Sequence, residues 1–217
     1  MIKLLRTILC IGVFSLGLIS TANANLEARA GGMVYDDVLD ITWLADADYA
    51  KTSGYDSDGW MYWNDAMTWA AGLSYGGYDD WRLPTALNQD GSGPCLGFNC
   101  TNSEMGHMFY NNMGAIAGFD SGGILAGTNT DNLALFTNLQ SYVYWSGTVY
   151  APNPALHAWD FATYDGSQNL YNFQDDEFYA WAVRPGDVAA IPEPETYAMM
   201  VLGLAVLLGF RKLREQS

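Results

Sequence analysis

The sequence predicts an α+β domain. Three observations predict it: apolar residues at helical spacing from Trp63 to Leu73, a second such stripe from Met105 to Met113, and a series of short aromatic or β-branched runs after residue 142. The roughly 165 residues between the two ends of the chain suffice for one domain with a substantial buried core.

In chain order, Lys3 and Arg6 precede an apolar stretch from Ile8 to Ile19, and Ala22-Asn23-Ala24 supplies small residues. These are the parts of a signal peptide over residues 1–24, to be removed by signal peptidase, with a mature start near Asn25. Cys10 lies inside the apolar stretch without the small neighbours of a lipoprotein site, and leaves with it. Met33 to Tyr35 and Ile41 to Leu44, joined by an Asp-rich turn, predict an opening hairpin. Trp63, Ala66, Met67, Ala70 and Leu73 predict a first amphipathic helix capped by Asn64, its stripe directed at the core. Thr101-Asn102-Ser103-Glu104 has capping-box spacing ahead of a second helix carrying Met105, Met108, Phe109 and Met113.

Residues 114–132, rich in Gly, Ala, Asn, Asp and Thr, read as one long loop, a length more often functional than neutral. Strands are expected at Val143–Thr148, Ala158–Ala162, Asn169–Phe173 and Tyr179–Arg184, with Asp165-Gly166 as a hairpin turn. Trp145, Trp159 and Trp181 fall on these strands and are expected to alternate into one sheet core. The domain spans 25–187, and 188–195 form a linker containing Pro192-Glu193-Pro194.

Residues 196–214 close the chain with an apolar run from Tyr197 to Phe210, then Arg211, Lys212 and Arg214. Pro192 and Pro194 keep the chain extended before Thr196 caps a transmembrane-type helix. Fourteen residues make a helix of about 21 Å against a hydrocarbon core of about 30 Å, which is short for a permanent anchor. Basic residues beside each apolar segment place both ends on the cytoplasmic side and the body outside the inner membrane.

The chain has 24 acidic and 9 basic residues, and within 25–191 only Arg29, Lys51, Arg82 and Arg184 stand against 21 acids, a net charge near −17. Such a surface repels phosphate backbones, which excludes nucleic acid as a partner. Cys95 and Cys100 are the cysteines of the body, in Pro-Cys-Leu-Gly-Phe-Asn-Cys, and an oxidising compartment favours a disulfide between them. Zinc would need four ligands, and His107 and His157 lie far off in sequence. No base stands by for a cysteine nucleophile.

The acidic residues offer oxygen ligands of the kind calcium takes. Asp56-Ser57-Asp58-Gly59 looks like part of a calcium loop, but in EF-hand register position one would be Gly54 and position twelve Asp65, so that motif fails. A looser site at Asp56 and Asp58, or at Asp175, Asp176 and Glu177, is compatible with weak extracellular calcium binding. No other cofactor is expected.

The ending, Pro192-Glu193-Pro194 with its apolar span and basic end, resembles the PEP-CTERM sorting signal over residues 191–214. That resemblance implies recognition by exosortase, a membrane transpeptidase of Gram-negative bacteria that make exopolysaccharide. It further implies passage of residues 197–210 through the inner membrane and delivery to the envelope, outer surface or extracellular matrix.

In the body, Gly-Tyr-Asp-Asp-Trp-Arg-Leu-Pro-Thr (77–85), Val-Tyr-Trp-Ser-Gly-Thr (143–148) and Ala-Trp-Ala-Val-Arg-Pro-Gly (180–186) resemble a bacterial domain of unknown function, also found at the C-terminus of a collagen-like adhesin. The resemblance spans about residues 33–187 and implies a fold near the C-type lectin-like and formylglycine-generating-enzyme-like domains. Within these motifs Trp81 and Leu83 should pack inward, Arg82 and Arg184 should pair with carboxylates or carbonyls, and Pro84 should fix the exit of the chain. The formylglycine-generating relatives oxidise a cysteine through a copper-binding cysteine pair. Here the pair is five positions apart in a loop and the remaining signature is missing, so catalysis is not expected.

The adhesin relatives bind sulfated polyanions, a ligand that a body near −17 does not suit. C-type lectin sugar sites use a Trp-Asn-Asp triplet near calcium; Trp63-Asn64-Asp65 falls on the first helix, away from that region. The reading is therefore an exported, non-catalytic module that binds polysaccharide or a surface protein in adhesion or biofilm. The alternatives are an enzyme of the formylglycine-generating type and a matrix filler without a ligand.

Overall fold

The computed structural model describes residues 26–170 and 173–188. The expected signal peptide, the Pro-Glu-Pro motif and the apolar tail lie outside these residues. Among the described residues no helix is long and apolar enough to cross a membrane.

The strands are β1 (Leu26–Arg29), β2 (Met33–Asp36), β3 (Ile41–Leu44), β4 (Val143–Val149), β5 (Ala158–Ala162), β6 (Ser167–Asn169) and β7 (Val183–Pro185). They form two antiparallel sheets, ordered β1-β2-β3-β7 and β4-β5-β6. With the helices described below, the architecture is α+β. The predicted hairpin is β2–β3, closed where Asp36 Oδ1 accepts the N–H groups of Val38 and Leu39, both at 3.1 Å. β1 extends that sheet outward and was not expected, because Leu-Glu-Ala-Arg carries no β-branched or aromatic residue.

Helix α1 (Tyr49–Thr52) is a single turn, and α2 (Trp63–Ala71) is the first predicted helix. Its N-cap is Tyr62 rather than Asn64, with no side-chain cap, and Gly72 ends it. Trp63, Ala66, Trp69 and Ala70 are its buried residues, so Trp69 takes the core position expected of Met67.

The second predicted helix begins at α3 (Glu104–Gly106) and continues as a π-helical stretch, His107–Asn112. Ser103, not Thr101, caps it: Ser103 Oγ accepts the Gly106 N–H at 3.1 Å. A capping box would turn Glu104 back to its own helix, but Glu104 is drawn away by Arg82, as described below. Gly106 is required by close approach, since a Cβ there would collide with the Cys100 carbonyl. The expected long loop at 114–132 is interrupted by a 3-10 turn at Gly123–Ala126 and by α4 (Thr130–Leu133), whose cap Asn129 accepts the Asn132 N–H at 3.3 Å.

The two sheets are joined by the strip that precedes β7. The Tyr179 N–H donates to Val143 O and Tyr179 O accepts from Trp145 N, while three residues on Ala182 O accepts from Leu44 N. The strip thus leaves one sheet for the other, which is why the expected strand Tyr179–Arg184 shortens to Val183–Pro185. Trp181 lies in that crossing, fully buried, with ring centroids 4.7 Å from Trp43 and 5.1 Å from Phe136, and its Nε1 donates to Leu44 O at 2.7 Å. Trp145 is also buried, its Nε1 donating to Met61 O at 2.8 Å.

All three tryptophans are buried, but not in one sheet core. Trp145 pairs in register with Asp160, so the neighbouring Trp159 leaves β5 on the opposite face. The strand expected to run to Phe173 ends at Asn169, and Phe173 pairs instead with His157.

Candidate functional site

Three of the four basic residues of the body sit in ion pairs. Arg82 Nη1 and Nη2 donate to Glu104 Oε2 and Oε1 at 2.8 and 2.7 Å, and the Thr85 N–H donates to the same carboxylate at 2.8 Å. Arg184 Nε and Nη2 reach both oxygens of Asp80 at 2.7 and 3.0 Å, with the guanidinium 4.1 Å above the Tyr78 ring. Arg29 does the same with Asp187 at 2.7 and 3.0 Å and also meets Glu27 at 2.8 Å. These bidentate bonds hold the Asp80 and Asp187 carboxyls below the usual carboxylate range. Trp81 and Leu83 are buried on either side of Arg82, and Pro84 O accepts from Gly147 N at 2.8 Å, tying the exit of the motif to β4.

Cys95 and Cys100 form a disulfide, with Cα atoms 5.5 Å apart. The loop that it closes presents Leu96 and Phe98 to solvent.

The Asp56–Asp58 turn uses its carboxylates to close itself. Asp56 Oδ1 accepts from Asp58 N at 3.0 Å and Gly59 N at 2.8 Å, and Asp58 Oδ1 accepts from Trp60 N at 3.1 Å. Burial works against ionised Asp56, yet those two N–H groups outweigh it and hold the carboxyl below its ordinary value.

Asp48 is different. It is 4% exposed, no described residue donates a hydrogen bond to its carboxylate, and a Cβ on Gly59 would collide with it. Burial raises its pKa to about 6; nearby Lys51 opposes the shift, and Asp46, Asp56 and Asp58 add to it. In the second acidic group, Asp176 Oδ2 accepts from Phe173 N at 2.8 Å. Among the described residues no three His, Cys, Asp or Glu side chains converge as a metal site.

His107, Asp36 and Asn112 form a buried polar cluster behind the π-helical stretch. Asn112 Nδ2 donates to Asp36 Oδ2 at 2.7 Å, and His107 Nε2 stands 3.9 Å from the same oxygen. Burial pushes the His107 pKa down, more than Asp36 and Asp37 push it up. The cluster is closed to solvent and links β2 to the helix, so it is part of the framework.

The open features lie beside residues 60–63 and 173–178, two segments that run antiparallel: Met61 pairs with Phe178, and Trp63 N donates to Gln174 O at 3.0 Å. Met61 and Trp63 point inward and Trp60 and Tyr62 outward, the period-two alternation of an extended chain. Trp60 stacks on Tyr142 with centroids 4.9 Å apart and planes 12° from parallel. A groove of about 650 Å³ runs between Tyr62 and Phe173, 45% and 50% exposed, with Asn64, Asp65, Gln174 and Asp175 along it.

A second groove, of about 550 Å³, borders the same strip through Phe178. Phe98 of the disulfide loop and Phe119, 75% exposed, form its rim, their rings in edge contact at 6.1 Å. Both volumes fall within the range of small-molecule clefts. Neither groove has Lys or Arg among its described lining residues.

Asp175 is expected only as a calcium-loop position, and Asp65 as a calcium-loop position and as the end of the Trp63-Asn64-Asp65 triplet; Tyr62, Phe173 and Leu156, which also lines the groove, are not foreseen as site residues. In Trp60-Met61-Tyr62-Trp63 both faces of the strand are hydrophobic, so the alternation was invisible until the fold showed which face was covered. Compared with known proteins, the chain matches no family model, no curated protein and no solved structure.

Proposed function

We propose that the chain is an exported protein of the Gram-negative envelope or extracellular matrix, cut by signal peptidase and sorted by exosortase, whose C-type lectin-like domain binds polysaccharide without catalysis. One observation carries the binding role: solvent-facing rings, Tyr62 and Phe173 in one and Phe98 and Phe119 in the other, border two open grooves among hydrogen-bonding side chains. Amphipathic rings beside polar groups suit sugars, whose C–H faces stack and whose hydroxyls bond at the edges. The Cys95–Cys100 bond supports an oxidising compartment, and it leaves no free thiol pair for the copper chemistry of the formylglycine-generating enzymes.

Intact-mass measurement of the secreted protein tests the export half. The reading expects loss of residues 1–24, loss of the tail near Pro192 and a mass two hydrogens below that of the reduced form. Retention on polysaccharide from the producing bacterium tests the other half. Wild type should be retained and a Tyr62→Ala/Phe173→Ala variant with unchanged thermal stability should elute; equal elution of both sinks the binding role.

A further inference from the structure

The groove between Tyr62 and Phe173 has a chemical bias beyond a general affinity for sugars. Its described lining contains the carboxylates of Asp65 and Asp175, the amides of Asn64 and Gln174 and the two half-exposed rings, with no basic side chain. The arginines of the body are held elsewhere: Arg29, Arg82 and Arg184 each in a bidentate pair with Asp187, Glu104 and Asp80. Lys51, the remaining cation of the body, lies near Asp48. An anionic glycan entering this groove would meet the like charge of Asp65 and Asp175, with no lysine or arginine among the described lining residues to offset it; the imidazole of His157 packs against Phe173 with ring centroids 4.6 Å apart. A cationic one would meet two carboxylates and the faces of two rings, both of which attract ammonium groups.

We infer that this groove binds a polysaccharide bearing free amino groups, a de-N-acetylated hexosamine chain, with sugar rings stacked on Tyr62 and Phe173 and its ammonium groups held by Asp65 and Asp175. The inference rests on the polysaccharide-binding reading and adds the charge of the ligand to it. Ring stacking supplies most of the affinity and works for any sugar. The carboxylates supply the preference, and because they are exposed the preference is moderate and screened by salt.

The test uses the full chain and four probes in mildly acidic low-salt buffer: a glucosamine hexamer, its fully N-acetylated counterpart, a heparin hexasaccharide and an oligolysine peptide. The glucosamine hexamer should bind about tenfold tighter than the acetylated one, with heparin weakest. Asp65→Asn and Asp175→Asn should each remove about threefold of affinity for the amino form and leave the acetylated form unchanged. Tyr62→Ala and Phe173→Ala should each weaken both sugars by about tenfold.

If both hexamers bind equally and the ring variants still lose binding, the charge inference is overturned and the polysaccharide reading stands. If wild type and ring variants bind sugars alike, this groove is the wrong site. Tighter binding of oligolysine, indifferent to the rings, makes the groove a peptide site and overturns the inference. Failure of every sugar removes the reading and the inference together.

Discussion

Around Arg82 strong donors meet an acceptor: two N–H groups of the guanidinium and the Thr85 amide converge on Glu104. Around Tyr62, by contrast, the carboxylates of Asp65 and Asp175 line an open groove without a cation among its described residues, and two rings stand half out of water. The first region uses its polar groups to fix the chain, joining the Trp81-Arg82-Leu83 segment to the start of α3. The second leaves its groups available. In a body with four basic residues against 21 acids, where the cations are held marks where the fold is tied, and the surface without them marks where a ligand can be met.

Four measurements break or sharpen that contrast. The largest effect should come from Glu104→Ala, which leaves a partly buried guanidinium and a backbone amide without their acceptor; urea unfolding should show a loss of about 2–3 kcal/mol. Next, reduction of Cys95–Cys100 should lower stability by about 2 kcal/mol, as expected for closing so short a loop, with the exposure of Phe98 rising in hydrogen exchange nearby.

The third concerns Asp48. Burial raises its folded-state pKa to about 6, above the roughly 3.9 of an unfolded aspartate, so the folded state holds the proton more tightly. Its contribution to stability is full below about pH 4 and is lost as the pH climbs toward 6. Asp48→Asn should therefore raise stability by about 1–2 kcal/mol near pH 7 and change it little near pH 4. A loss at neutral pH would instead mean that ionised Asp48 holds a cation. The smallest effect is expected at the groove: Phe173→Ala should stay within about 0.5 kcal/mol of wild type while glycan retention falls, whereas a buried ring such as Trp181 would cost several times more on truncation.

Much of the framework was legible because its signals are local. The stripe from Trp63 to Ala70, the Met33–Leu44 hairpin and the Asp165-Gly166 turn depend on period, turn residues and little else, and the elements stand there. What failed depends on distant partners. Thr101-x-x-Glu104 has capping-box spacing, but Arg82, 22 residues upstream, competes for Glu104 and the cap passes to Ser103. The strand at 179–184 was seen as one run, yet its two ends bond to different sheets. The groove was least legible of all, since Tyr62 and Phe173 are hydrophobic residues in hydrophobic company, and only tertiary packing says which rings remain outside.

The central claim, that the strip between Tyr62 and Phe173 is the ligand-binding surface, is tested most directly by an amide-resolved NMR titration of the folded protein with glycan fragments from the producing bacterium. Shifts are expected to cluster at residues 60–65, 155–157 and 173–175 and to saturate together. Shifts confined to the strands of Arg29 and Arg184 or to the Arg82 segment, or no saturable shift at all, would contradict it.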